Sequence, residues 1–198
     1  LPLEKFSSIY QCVEKFEVAS RIIEVVDRLI KGEEKDEKIF NLLNEIFNRL
    51  NEDNLNSTKY NLIYYYFFWN FVSILGHEPE LSKCVECSKN LNPHSLYFSN
   101  TEGGIICGVC FNKNKEVIEI ESDAVKVLRL ILKKDWDILS KLKAKDSLYE
   151  VLEIVSDNYY KYLYSHYGLP YGNIDKNVRP ADQRFSYCNT KISAANLL

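Results

Sequence analysis

Two Cys-x2-Cys pairs, Cys84 with Cys87 and Cys107 with Cys110, are separated by nineteen residues. A thiolate from each end of a Cys-x-x-Cys turn can reach one ion, and two such turns complete a tetrahedral four-sulfur shell. This spacing predicts a Zn2+ site ligated by Cys84, Cys87, Cys107 and Cys110. A closed shell leaves no coordination position for water, so the ion would hold structure and perform no chemistry. Lys83, Lys89, Lys113 and Lys115 flank the pairs, where they can offset the excess negative charge or simply stand in solvent.

Other chemistries find little support. Cys12 and Cys188 lie at opposite ends of the chain. No secretory hydrophobic segment opens it, so metal is favoured over disulfides and a reducing, cytoplasmic compartment is expected. The chain has three histidines, His77, His94 and His166, and no HExxH motif. His77-Glu78-Pro79 lacks the glutamate two residues on that a nucleoside deaminase needs. His77 and His94 lie near the cysteines, but four thiolates already satisfy the ion. There is no G-x-S-x-G, P-loop or G-x-G-x-x-G, and the acidic residues read as solvated helix charge. Cys12 reads as a small core or boundary residue. No enzyme is expected, and no catalytic residue is assigned.

A weaker feature is a basic stripe, Lys126, Arg129, Lys133 and Lys134, followed by Lys141, Lys143 and Lys145. It can meet a phosphate backbone or an acidic peptide, or stand as a solvated face. Tyr159, Tyr160, Tyr162 and Tyr164 around Lys161 can stack on bases or pack within a helical core.

The elements that must position these residues are mainly helical. Apolar residues at helical spacing (Phe6, Ile9, Val13, Phe16, Ile22, Val26, Leu29) predict one helix over 3–30. Lys31-Gly32 and an acidic turn at Glu33–Glu37 stop it. A second helix is carried by Ile39, Leu42, Leu43, Ile46, Phe47 and Leu50. A third, Lys59–Leu75, is apolar almost all round, with Ser57 or Thr58 as cap and Gly76 as stop. It is too short for a membrane span and contains Asn61 and Asn70, so a central core helix is expected. Ser95–Ser99 and Ile105–Cys107, joined by a turn at Gly103-Gly104, predict a hairpin that returns the second cysteine pair to the first. Helix resumes after Glu121, capped by Ser122 or Asp123, with a continuation or a separate short helix around Trp136. A last helix runs from about 146 to 167. The expected fold is mainly α: a helical bundle with an inserted four-cysteine zinc-ribbon-like module containing a short β-hairpin. The expected division is 1–75 helical, 76–115 zinc-binding, 116–167 helical and 168–198 an irregular tail.

The 198 residues include 46% hydrophobic and 27% charged side chains and carry a formal net charge of −3, the composition of a soluble globular protein rather than a basic nucleic-acid binder. Four thiolates around one divalent ion would make that charge more negative. The chain has no methionine, and an upstream segment is expected.

The run Leu75-Gly76, Pro79-Glu80-Leu81, Cys84–Cys87, Tyr97-Phe98-Ser99, Gly103-Gly104 and Cys107–Cys110 resembles the bacterial RecO family of DNA repair and recombination mediators. The resemblance covers roughly residues 3–167, including the Phe40-Asn41-Leu42-Leu43 core pattern ahead of the motif, and nothing after Gly168 matches. It implies a non-catalytic protein that anneals single strands and helps load recombinase onto strands coated with single-strand-binding protein. Implied partners are a RecR-like mediator, the acidic tail of single-strand-binding protein, and single-stranded DNA, the last mainly through an N-terminal OB-fold absent from this chain. A cytoplasmic, nucleoid-associated location follows from the same resemblance. Lys126–Lys134 is the candidate surface for phosphate or that acidic tail. Two alternatives stand beside it: a zinc-ribbon interaction module of an unrelated helical protein, and an enzyme whose catalytic half lies elsewhere.

Overall fold

The computed structural model describes residues 6–30, 36–53, 55, 57–111 and 116–166. The expected stop at Lys31-Gly32, most of the following acidic turn, Lys113, Lys115, Cys188 and the segment 168–198 lie outside them. Seven helices and one small sheet make up the described part: α1 (Ser7–Tyr10), α2 (Val13–Leu29), α3 (Glu37–Leu50), α4 (Ser57–Ile74), β1 (Leu96–Ser99), β2 (Gly104–Cys107), β3 (Val117–Glu119), α5 (Ser122–Leu132), α6 (Trp136–Leu139) and α7 (Asp146–His166).

The centre is α4. Tyr60 and every residue from Leu62 to Val72 are buried, because α2, α3, α5 and α7 all pack against it. An all-round apolar helix needs neighbours on every side, and these four elements supply them. No described helix is long and apolar enough to cross a membrane. Asn70, the polar residue inside this surface, donates through Nδ2 to the carbonyls of Tyr66 (2.8 Å) and Ile131 (3.1 Å), which offsets its burial. At the C-terminus Gly76 adopts φ +87°, and the His77 N–H reaches back to the Val72 carbonyl at 2.8 Å. A left-handed residue here reverses the chain and satisfies a terminal carbonyl.

The single first helix expected over 3–30 is two. The chain breaks at Gln11-Cys12, where Cys12 is extended (φ −130°) at the start of α2. This break rephases the apolar pattern. Val18, Ala19, Ile22, Val25 and Leu29 face the core, whereas Val13 and Phe16 are exposed. Glu14 and Lys15 are buried instead; Lys15 Nζ donates to Ser8 Oγ (2.5 Å) and the Glu52 carbonyl (2.7 Å). Helix α3 follows the expected pattern, with Ile39, Leu42, Ile46 and Leu50 buried. Its cap is Asp36, whose carboxylate accepts from the N–H groups of Lys38 and Ile39.

The expected hairpin is present, and the sheet has a third strand that the hydrophobic pattern did not announce. The order is β2-β1-β3, all antiparallel, with Phe98 paired to Ile105 and to Ile118. Strand β3 has three residues, too few for an alternation to register. Helix α5 is preceded at its cap position by Glu121, which makes no side-chain cap bond, rather than by Ser122 or Asp123. It ends where Lys134 turns left-handed (φ 58°), and α6 around Trp136 is a separate helix capped by Asp135.

Sheet and helices share one core. Phe98 packs edge-on against Trp69 (5.7 Å, 73°) and Tyr159 (5.5 Å, 84°), which stack on each other (5.3 Å, 13°). Trp69 Nε1 donates to Ser156 Oγ at 3.0 Å, and the Tyr159 hydroxyl donates to the His77 carbonyl at 3.0 Å. Leu81, Leu96, Ile105 and Ile120 join the same cluster. Phe98→Ala is expected to cost about 3–5 kcal/mol. Because the core is shared, far-UV and near-UV circular dichroism should report one coincident denaturant transition in the wild type, at lower denaturant in the variant. Separate transitions for helix and aromatic signals would contradict a common core.

Candidate metal centre

Cys107 closes strand β2, while Cys84 is delivered by an irregular segment running beside that strand. Glu80 N–H donates to the Gly103 carbonyl, Ile105 N–H to the Glu80 carbonyl and Val85 N–H to the Ile105 carbonyl, each at 2.9 Å. This close approach explains Gly104: a Cβ there would lie 2.5 Å from the Glu80 carbonyl oxygen. Each Cys-x-x-Cys then forms a tight turn. In the first, Ser88 N–H donates to the Cys84 carbonyl (2.8 Å) and Cys84 N–H to the Lys89 carbonyl (2.9 Å). In the second, Cys110 and Phe111 N–H groups both donate to the Cys107 carbonyl at 3.0 Å.

The result is convergence. All four Sγ atoms lie within 4.8 Å of one another, and those of Cys87 and Cys107 are 3.9 Å apart. A tetrahedral ion with metal–sulfur bonds of about 2.3 Å sets sulfur–sulfur distances of about 3.8 Å, so the donor set fits such an ion. Cys84 and Cys107 are buried, Cys87 and Cys110 half-buried. The outer face of the sheet supplies an apolar wall: Ile106 is fully buried here, with Val85, Leu91, Tyr97 and Val117 around it. Tyr97 stacks face to face on Phe111 at 4.0 Å.

The electrostatics separate the thiols. Burial pushes Cys84 up, but the backbone N–H groups of Cys107, Cys87 and Glu86, together with a bond from Cys87, bring it down to about 6. The Cys107 N–H lies 3.4 Å from Cys84 Sγ. Cys110 is pushed up to about 12, chiefly by its bond with Cys87. Within the cluster the thiolate is thus favoured at Cys84 and the thiol at Cys110, and binding of an ion by all four sulfurs would release protons.

Among the described residues, these cysteines are the only group of three or more His, Cys, Asp or Glu side chains whose ligand atoms converge. His94 is exposed, and His77 contributes its backbone carbonyl to Tyr159; neither belongs to the group. The basic stripe is arranged unevenly. Lys126 is exposed and paired with Asp123 at 2.8 Å, and Lys133 and Lys134 are exposed at the end of α5. Arg129 turns inward: its Nε donates to the Leu81 carbonyl at 2.9 Å, and Nη2 bonds the same oxygen. It clamps the segment leading to Cys84 onto α5, a role that spacing on a helix cannot signal. Tyr159 and Tyr164 are buried, which agrees with the packing alternative for those two tyrosines.

Ser88 occupies a left-handed position (φ 59°) that disfavours a side chain. Ser88→Gly should stabilise the protein by about 1 kcal/mol in denaturant unfolding. Metal uptake by metal-free protein should release protons, so affinity measured with a competing chelator should fall as pH is lowered from about 8 to about 6. A pH-independent affinity would argue against thiolate ligation.

The sequence model of the family described as "Recombination protein O C terminal" matches residues 13–170. The chain is similar to the DNA repair protein RecO of Thermoanaerobacter sp. (strain X514), 29% identical over 163 residues, covering 80% of this chain and 62% of the relative. The DNA repair protein RecO of Alkaliphilus metalliredigens (strain QYMF) is 27% identical over 158 residues, 80% and 63%. That of Dehalococcoides mccartyi (strain ATCC BAA-2266 / KCTC 15142 / 195) is 30% identical over 152 residues, 77% and 58%. No solved structure gives a significant match. The chain spans about three fifths of the length of these relatives. The four thiols lie within the matched segment, on a mainly helical body, as the motif resemblance implied; the chain belongs to the family of the RecO C-terminal region.

Proposed function

We propose that this chain is the helical, metal-binding part of a DNA repair and recombination mediator, taking part in single-strand annealing and in loading recombinase. The observation that carries the reading is family membership over residues 13–170. The site supports it: a closed four-thiolate shell suits structural Zn2+ bound by Cys84, Cys87, Cys107 and Cys110, with no open position for a substrate. In this reading the chain has no catalytic residues and works by positioning surfaces. Its partners are a RecR-like mediator, the acidic tail of single-strand-binding protein, and single-stranded DNA met mainly by an OB-fold ahead of this region. Its place is the cytoplasm, at the nucleoid. The division into helical parts at 1–75 and 116–167 around a zinc module at 76–115 belongs to the same reading.

Lys126, Lys133 and Lys134 are the exposed cations of the stripe offered to phosphate or to an acidic peptide, while Arg129 is engaged on the Leu81 carbonyl. Fluorescence anisotropy with labelled single-stranded DNA, and with an acidic C-terminal peptide, tests this. Binding by the chain with its native upstream sequence should weaken as salt rises from about 50 to about 200 mM. The variant Lys126→Gln/Lys133→Gln/Lys134→Asn should bind more weakly, with a salt slope smaller by about one for each phosphate no longer neutralised. Asn is chosen at 134 because it tolerates the left-handed backbone there. Unchanged binding by this variant would remove the stripe from the account, and turnover of a substrate would remove the non-catalytic reading.

A further inference from the structure

Three lysines that follow the stripe in sequence, Lys141, Lys143 and Lys145, stand exposed on the segment between α6 and α7. Where that segment meets the start of α4 there is a cavity of about 260 Å3, and none of its lining residues belongs to the stripe or to the thiol cluster. Its polar walls are Thr58 and Lys59 from the first turn of α4, Ser140 and Lys143 from the connecting segment, and Tyr149 from α7. No Asp or Glu lines it, although the chain holds 28 acidic residues against 25 basic ones. Leu62, Leu139 and Leu142 give it an apolar floor.

Two independent features point to an anion. The cavity lies at the N-terminus of an 18-residue helix, whose first N–H groups have no intrahelical acceptor and form the positive end of its dipole. Tyr149 supplies the second feature. The residue is 8% exposed, yet its hydroxyl has no hydrogen-bond partner among the described residues, a state that a buried phenol ordinarily avoids. Burial and the Asp146 carboxylate, which lies outside the lining, hold this phenol above its ordinary pKa, so it stands as a donor. Ser140 Oγ holds the Asp137 carbonyl at 3.3 Å, a long bond that an anion can replace. A carboxylate offers two oxygens in a plane, whereas a phosphate monoester presents three on a tetrahedral centre. The latter suits donors arriving from α4, the connecting segment and α7. The volume is just below the roughly 300–1,000 Å3 of drug-sized ligand sites, which leaves room for the carbon that carries the phosphate. We propose that this cavity binds a small phosphate monoester, its oxygens held by the α4 N-terminus, Lys59, Lys143 and Tyr149 Oη, its carbons against the leucines. A free nucleotide and the phosphorylated end of a DNA strand both present this group.

Isothermal titration calorimetry of the full chain with thymidine 5′-monophosphate, and with thymidine as control, tests the site. Binding is expected for the monophosphate alone. Tyr149→Phe removes one hydroxyl and Lys143→Gln one exposed charge. Each should weaken monophosphate binding about tenfold, the loss expected for one charge-assisted hydrogen bond, with unchanged far-UV circular dichroism. In proton–nitrogen correlation NMR spectra the amide signals of Thr58 and Lys59 should shift as the monophosphate is added. A short oligothymidylate with a 5′-phosphate, compared with the same strand ending in a hydroxyl, distinguishes the sources. Binding about tenfold tighter for the phosphorylated strand assigns the pocket to strand ends. Equal binding of the two strands, beside binding of the monophosphate, assigns it to free nucleotide. The stripe variant Lys126→Gln/Lys133→Gln/Lys134→Asn should still prefer the monophosphate to thymidine, which separates this pocket from that surface. Equal binding of thymidine and its monophosphate, unmoved Thr58 and Lys59 amides, or an affinity unchanged in both pocket variants would overturn the proposal. So would a preference lost in the stripe variant.

Discussion

The seating of Phe98 between Trp69 and Tyr159 is the interaction on which the rest of the architecture depends. It brings one side chain from the sheet, one from the central helix and one from the last helix into a single edge-to-face and stacked arrangement. Such pairs add about 0.5–1.5 kcal/mol each beyond the area they bury. Both polar handles of the trio are used, on Ser156 and on the His77 carbonyl, so the burial costs no unpaired donor. The ribbon is therefore bolted to the helical body at the place where the chain enters and leaves it.

The two faces of that small sheet do different work. Phe98 and Ile105, partners across β1 and β2, point into the helical core. Tyr97 and Ile106, the neighbouring pair, line the wall of the thiol cluster. Side-chain alternation along a strand makes this division unavoidable, and it couples the thiol cluster to the body through only one residue layer. Arg129 adds a second tie, holding the Leu81 carbonyl and with it the segment that presents Cys84. An ion held by the four thiolates would thus fix the geometry of both the ribbon and its helical seat.

Much of this was legible in the residues. The four cysteines were legible because two Cys-x2-Cys turns at this spacing can bring their sulfurs together, as they do here within 4.8 Å, and α4 declared itself by being apolar on every side. The helix over 3–30 failed because periodicity does not register a break of two residues; at Gln11-Cys12 the phase shifts, leaving Val13 and Phe16 outside and Glu14 and Lys15 inside. Strand β3 was invisible for want of length. Arg129 looked like one member of a basic stripe because its partner, a backbone carbonyl 48 positions away, leaves no trace in side-chain pattern. The Trp69–Phe98–Tyr159 seam likewise joins residues far apart in sequence, each of which alone reads as ordinary core.

The central claim is that Cys84, Cys87, Cys107 and Cys110 jointly hold one structural ion. Native mass spectrometry of protein purified without added metal or chelator tests it most directly. One Zn2+ per chain, lost when any one of the four becomes serine, is the predicted result. A metal-free mass under native conditions, or a stoichiometry unaffected by those substitutions, would contradict it.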